Sequence, residues 1–182
     1  DKNFKVLLVY PNIQQCAMMP SSIGLFTYLL KNNGFSVDLF DCTFYIDDSN
    51  ANYDKYQTFV QEFDWGEKSK NFKKDMINDF INKVSDTEPD LIAISVVENT
   101  YPIGRNLIKS LPSRLKDIPK IWGGVFATFA PQIILNDNVG NFVCRGEGEV
   151  ALINLCSKLY QGESTDKIPN LWVKYNGSIT KN

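Results

Sequence analysis

Histidine is absent from all 182 residues. Without an imidazole the chain can assemble no Ser–His–Asp or Cys–His nucleophilic pair, and no histidine can ligate a metal. The four cysteines, Cys16, Cys42, Cys144 and Cys156, form no CxxC pair. Their wide, irregular spacing matches neither zinc nor iron–sulfur sites, so they read as buried, reduced thiols. Cys16 stands apart, because it falls in a loop near the expected ligand mouth. No apolar run approaches the roughly 18 residues that would cross a bilayer, and no basic-then-apolar leader opens the chain. Lysines and acids are interspersed at a net charge of −2, which leaves no polybasic face for nucleic acid or anionic lipid. Neither GxGxxG nor GxxxxGK[ST] occurs, which argues against a dinucleotide fingerprint or a P-loop. The composition therefore predicts a soluble, cytoplasmic binding domain with no catalytic residue and no metal ligand of its own.

What is present is an alternation of two patterns. Phe4–Tyr10 (FKVLLVY) and Leu91–Val97 (LIAISVV) are short, nearly continuous apolar runs, as expected of strands buried on both faces of a parallel sheet. Ser36–Phe40, Pro119–Trp122 and Asn141–Cys144 read as shorter members of the same sheet. Between them, Ile23, Phe26, Leu29 and Leu30 share a helical face that stops at Asn32-Asn33-Gly34. Phe72, Met76, Ile77, Phe80, Ile81 and Val84 repeat at helical spacing up to Glu88-Pro89. Ile103, Leu107, Ile108, Leu111 and Leu115 give a third helix, with Pro112 as a candidate bend. A short fourth begins near Pro131, and a fifth spans about Glu149 to Tyr160. This βα alternation predicts a flavodoxin-like, doubly wound five-stranded parallel sheet of order 2-1-3-4-5, whose crevice opens at the carboxyl ends of the strands where the order reverses. Residues 1–168 are expected to form this domain, with an insertion at 44–70 after the second strand; Tyr56, Phe59, Val60 and Phe63 in it share one helical face. Residues 169–182 alternate polar and apolar around Asn176-Gly177 and predict a β-hairpin.

Function in such a fold sits in the loops that leave the strands. The first, Pro11–Ser22, carries Met18-Met19 beside Pro20, a polarisable apolar surface suited to lie under a flat ligand or to pack on the first helix. The third, Ser95–Pro102, offers Ser95, Asn99 and Thr100 for hydrogen bonding at the crevice; Asn99 or Thr100 serves equally as a helix cap. Gly123-Gly124 opens the fourth and allows either a tight turn or close approach of backbone to ligand. In the fifth, Arg145–Glu149 (RGEGE), Glu147 or Glu149 either sits at the positive end of a helix or addresses polar groups of a cofactor tail.

Taken together, KVLLVYP, SSIGLFTYLLKNNGFSVDLFD, PDLIAISV, WGGVFAT and VCRGEGEVAL resemble the N-terminal cobalamin-binding domain of B12-dependent radical S-adenosylmethionine (SAM) enzymes. The terminal NLWVKYNGSITKN is similar to the hairpin and linker that lead into the radical SAM barrel. The resemblance implies cobalamin as the cofactor, with Met19, Ser95, Glu98, Asn99 and Thr100 near the corrin. It implies a nucleotide tail running beside Gly123, Gly124, Ala127 and Thr128, bordered by Gly146 and Glu147. It also implies a radical SAM catalytic domain as partner in cis, often a methyltransferase. The CxxxCxxC signature is absent, so a [4Fe–4S] cluster and SAM would belong to that other domain. The DxHxxG loop of other cobalamin domains is absent too, so cobalt would have no protein imidazole beneath it. Two other readings fit the fold: a docking module whose crevice is filled by apolar side chains, and a flavodoxin-like domain for a flavin or another nucleotide. A receiver domain is disfavoured, because Ser95-Val96-Val97 holds no phosphoacceptor aspartate.

Overall fold

The computed structural model describes residues 3–12, 20–45 and 73–182. Among these, β1 (Lys5–Tyr10), β2 (Ser36–Asp41), β3 (Leu91–Ser95), β4 (Lys120–Gly123) and β5 (Phe142–Cys144) are parallel neighbours. β6 (Leu171–Tyr175) and β7 (Ser178–Lys181) continue the same sheet in antiparallel fashion, giving the order β2-β1-β3-β4-β5-β6-β7. The expected 2-1-3-4-5 core and C-terminal hairpin are both present. Asn176 and Gly177 at the hairpin tip have φ of 48° and 80°, the two positive values that a tight two-residue turn requires.

Helices cover both faces because the inner strands are apolar on both. On one side α1 (Ser21–Asn32) and α6 (Glu149–Gln161) lie over Val6, Leu8, Leu91 and Ile121. On the other, α2 (Met76–Thr87), α3 (Tyr101–Ser110) and α5 (Pro131–Asn136) cover Leu7, Val9, Ile92 and Trp122. The alternation along β1 and β4 is the period-2 rule of a strand. Trp122 is fully buried, and its indole N–H donates to the Val139 carbonyl at 3.1 Å, so the largest core side chain leaves no orphan donor.

Local signals set the ends. The Asp75 carboxylate accepts from the Asn78 backbone N–H at 3.2 Å and caps α2, which begins at Met76; Phe72 lies outside the described residues. Glu88 ends α2 in a left-handed conformation, φ 45°, directly before Pro89. The third helix does not bend at Pro112 but ends at Ser110. A single 3₁₀ turn, Ser113–Leu115, follows the proline, which has no N–H to continue the ladder, and Leu111 and Leu115 still reach the core. The helix pattern at Tyr56–Phe63 falls outside the described residues. Tyr45 and Lys73 form an isolated parallel bridge, so the excursion between them leaves and re-enters the fold at adjoining points.

Phe80 of α2 is fully buried and meets Phe40 edge-on at 5.1 Å between ring centroids. Phe80→Ala is expected to lower unfolding free energy by about 3–5 kcal/mol, read from urea denaturation; a loss below about 1 kcal/mol would contradict this packing.

Candidate functional site

At the carboxyl ends of β1, β3, β4 and β5 a cleft opens between the sheet and the first turns of α1 and α6. Its floor is Leu8, Ala93, Ile94 and Ile121, and Ile23, Phe26 and Leu152 form its helical walls. Gly123, Gly124, Gly146 and Gly148 line it as well. This is the position the reversal of strand order predicts.

Two adjacent glycines do different things here. Gly124 has φ +90°, and a Cβ on it would stand 2.5 Å from the Val96 carbonyl oxygen and 2.9 Å from the Val96 nitrogen. Only glycine lets these two turns touch. Gly123 has no such constraint, and a Cβ on it would meet no heavy atom within 4 Å. Its missing side chain would point to the face that Ile121 lines, so its absence enlarges the cleft.

The loops after β3, β4 and β5 are joined by a run of hydrogen bonds. The Val96 N–H donates to the Gly123 carbonyl at 3.0 Å, and the Phe126 N–H donates to the Val96 carbonyl at 3.2 Å. The Thr128 hydroxyl donates to the Gly124 carbonyl at 3.1 Å and accepts from the Gly146 N–H at 3.0 Å. Arg145 Nε donates to the Thr128 carbonyl at 3.1 Å, while its guanidinium stacks 5.0 Å over the Trp172 ring. The rim is thus one cross-linked unit, in which Thr128 holds two of the loops.

The expected site residues fall into several groups. Ser95, Gly123, Gly124 and Gly146 line the cleft together. Glu98 and Asn99 are exposed in the turn between β3 and α3, at the same pole. Thr100 is buried, and its hydroxyl closes that turn by accepting from the Val97 N–H at 3.1 Å, not by capping α3. The loop after Gly124 proves to be a short helix, α4 (Val125–Phe129), which turns Ala127 into the opposite core. Thr128 sits at the rim, and Glu147 is exposed with its carbonyl accepting from Asn170 Nδ2 at 3.4 Å. Met19 and Cys16 lie outside the described residues. The apolar walls Ile23, Phe26 and Leu152 carry only a helix-face signal in sequence, indistinguishable from ordinary core.

Cys144 also lines the cleft. Burial pushes its thiol up to about 11, with the Glu149 and Glu147 carboxylates adding to the shift. It is therefore protonated near neutral pH and presents a small apolar surface, not a thiolate ligand. Among the described residues no group of three or more His, Cys, Asp or Glu side chains gathers to hold a metal ion. An apolar-walled cleft with a glycine where a side chain would intrude suits a flat, largely apolar group held by shape.

Residues 66–155 match the family model of the B12 binding domain. Within it, the resemblance to the domain of B12-dependent radical SAM enzymes is borne out at the level of fold. The radical S-adenosylmethionine methyltransferase TsrM from Kitasatospora setae, solved with tryptophan substrate and a SAM analogue, superposes with a TM-score of 0.70 at 22% identity; the match covers 97% of this chain and 30% of that one. The cobalamin-dependent SAM radical enzyme OxsB, solved with aqua-cobalamin and SAM, gives 0.68 at 20% identity, over 99% and 22% of the two chains. A cobalamin-binding protein from Desulfitobacterium hafniense gives 0.54 at 13% identity, over 87% and 59%. The chain thus spans less than a third of either radical enzyme's length. No curated protein sequence matches it.

The glycine assignments are separable by stability. Gly124→Ala is expected to cost about 1–3 kcal/mol through backbone strain. Gly123→Ala is expected to leave stability unchanged or raise it by up to about 1 kcal/mol. Denaturant midpoints of the two variants check this, and equal losses would refute the distinction.

Proposed function

We propose that this chain is the cobalamin-holding domain of a B12-dependent radical SAM enzyme of the methyltransferase type, and that it supplies no side-chain ligand beneath cobalt. The observation that carries the reading is the open, apolar cleft at the strand ends, backed by a glycine whose Cβ would stand in free space. The cleft would take part of the nucleotide tail of a cobamide, and the macrocycle would rest outside over the rim. There Ser95, Glu98 and Asn99 border it, and Val97 and Val125 are 47% and 60% exposed, an apolar seat at the same rim. Gly123, Gly124 and Gly146 would lie along the tail, while Thr128 positions their loops. Met19 would add a flexible apolar contact from the first loop.

Held in this way, cobalamin would supply methyl-transfer chemistry. The protein's share is to hold the tail away from the metal and to offer no nitrogen in its place; Cys144, the sulfur in the cleft wall, stays protonated. The [4Fe–4S] cluster and SAM would be held by a catalytic domain in cis, since none of these residues forms the cysteine triad they need. A ligand-free docking module would have its crevice filled by apolar side chains, whereas the described residues leave this one open.

Two measurements test the reading. The 182-residue chain mixed with hydroxocobalamin is expected to retain about one corrin per chain through gel filtration at micromolar concentration; corrin eluting wholly free would overturn it. Reduced to the cobalt(II) state, the complex is expected to show an electron paramagnetic resonance spectrum without axial nitrogen splitting. Persistent splitting would mean that the tail still sits on the metal and not in the cleft. Gly123→Leu, which fills the cleft without straining the backbone, is expected to weaken retention by about 1–3 kcal/mol, as overpacking does elsewhere.

A further inference from the structure

The walls of the cleft have a chemistry that distinguishes one nucleotide tail from another. Among the described residues that line it, Ser95 carries the one hydroxyl, and none carries a side-chain amide, carboxylate, amine or guanidinium. Leu8, Ile23, Phe26, Ile121 and Leu152 supply hydrocarbon from four different elements. The thiol of Cys144 is turned to the Glu147 carbonyl at 3.7 Å. Three backbone groups at the glycine turns are committed as well. Gly123 and Gly124 carbonyls accept from Val96 N–H and from the Thr128 amide and hydroxyl, and the Gly146 N–H donates to Thr128 Oγ1. Among the described side chains that line the cleft, a base lodged here would find the Ser95 hydroxyl as its one strong hydrogen-bonding group.

Cobamides differ in that base. A 5,6-dimethylbenzimidazole detached from cobalt exposes one ring nitrogen and two methyl groups. A phenolic base exposes no nitrogen. An adenine exposes three ring nitrogens and an exocyclic amine, and each polar group buried without a partner forfeits its hydration with no return. We infer that this cleft selects cobamides by their lower base, accepting benzimidazolyl and phenolyl forms and disfavouring purinyl ones. The inference rests on the reading that the tail enters this cleft, and it adds to that reading the chemical class of tail.

The test is a titration of the 182-residue chain with dimethylbenzimidazolyl, p-cresolyl and adeninyl cobamides in parallel, followed by visible absorption and checked by retention on gel filtration. The adeninyl form is expected to bind about tenfold to a hundredfold more weakly than the dimethylbenzimidazolyl form, the penalty of one or two unsatisfied polar groups. The cresolyl form is expected to bind at least as well as the dimethylbenzimidazolyl form. Equal affinity for all three would overturn the selectivity and leave the cobalamin reading standing, whereas retention of none would overturn both. Ile23→Asn, at a half-buried position of α1 in the cleft wall, offers an amide to the purine and is expected to narrow the gap. A folded Ile23→Asn chain with the gap unchanged would overturn the assignment of selectivity to this wall. The three-cobamide comparison on the unaltered chain does not depend on that variant folding.

Discussion

The placement of β1 between β2 and β3 is the constraint on which the rest of the molecule depends. Chain connections leave β1 in one direction across the sheet and return past it in the other. Right-handed crossovers then send α1 to one face and α2 and α3 to the opposite face. Where the connections part between β1 and β3, a crevice at the carboxyl ends of the strands results as a matter of topology. The side chains decide only what kind of crevice it is. Here they make it apolar, shallow in polar groups and roofed on one side by the N-terminal turns of α1 and α6.

A second layer of constraint sits at the rim. Three loops of unrelated sequence behave as one surface because Gly124 allows backbone-to-backbone contact with Val96 and because Thr128 ties its own turn to Gly146 of the next loop. Such a rim is shaped before any ligand arrives, which lowers the ordering cost that binding must overcome. Gly123, Gly124 and Thr128 each meet a different geometric demand, and Arg145 ties the rim to the hairpin through Trp172.

Much of the fold was legible because its signals are local. Continuous β-branched runs, caps and turn glycines are properties of adjacent residues, and all five parallel strands announced themselves this way. The site was legible in part. Ser95 and the glycines of the rim stand next to strand ends, where position alone implies exposure to the crevice. Ile23, Phe26 and Leu152 were not distinguishable, because their spacing is that of any buried helix face; they line a cleft only because α1 and α6 part above the sheet. Ala127 shows the opposite case. Its motif placed it with the tail, but a helical turn after Gly124 rotates it into the far core. Thr100 likewise looked like a cap and instead closes its own turn onto Val97.

The hairpin added to β5 carries a geometric consequence. An antiparallel strand reverses the backbone, and a second reversal restores the original heading, so β7 runs in the same sense as β5. The end of the hairpin is consequently carried back to the pole where β5 stops. Asn182 Nδ2 donates to the Leu171 carbonyl at 2.9 Å, and Leu171 is the register partner of Cys144 in the cleft wall. A tether fixed at that point would start within a few residues' reach of the mouth, with no need to span the height of the domain.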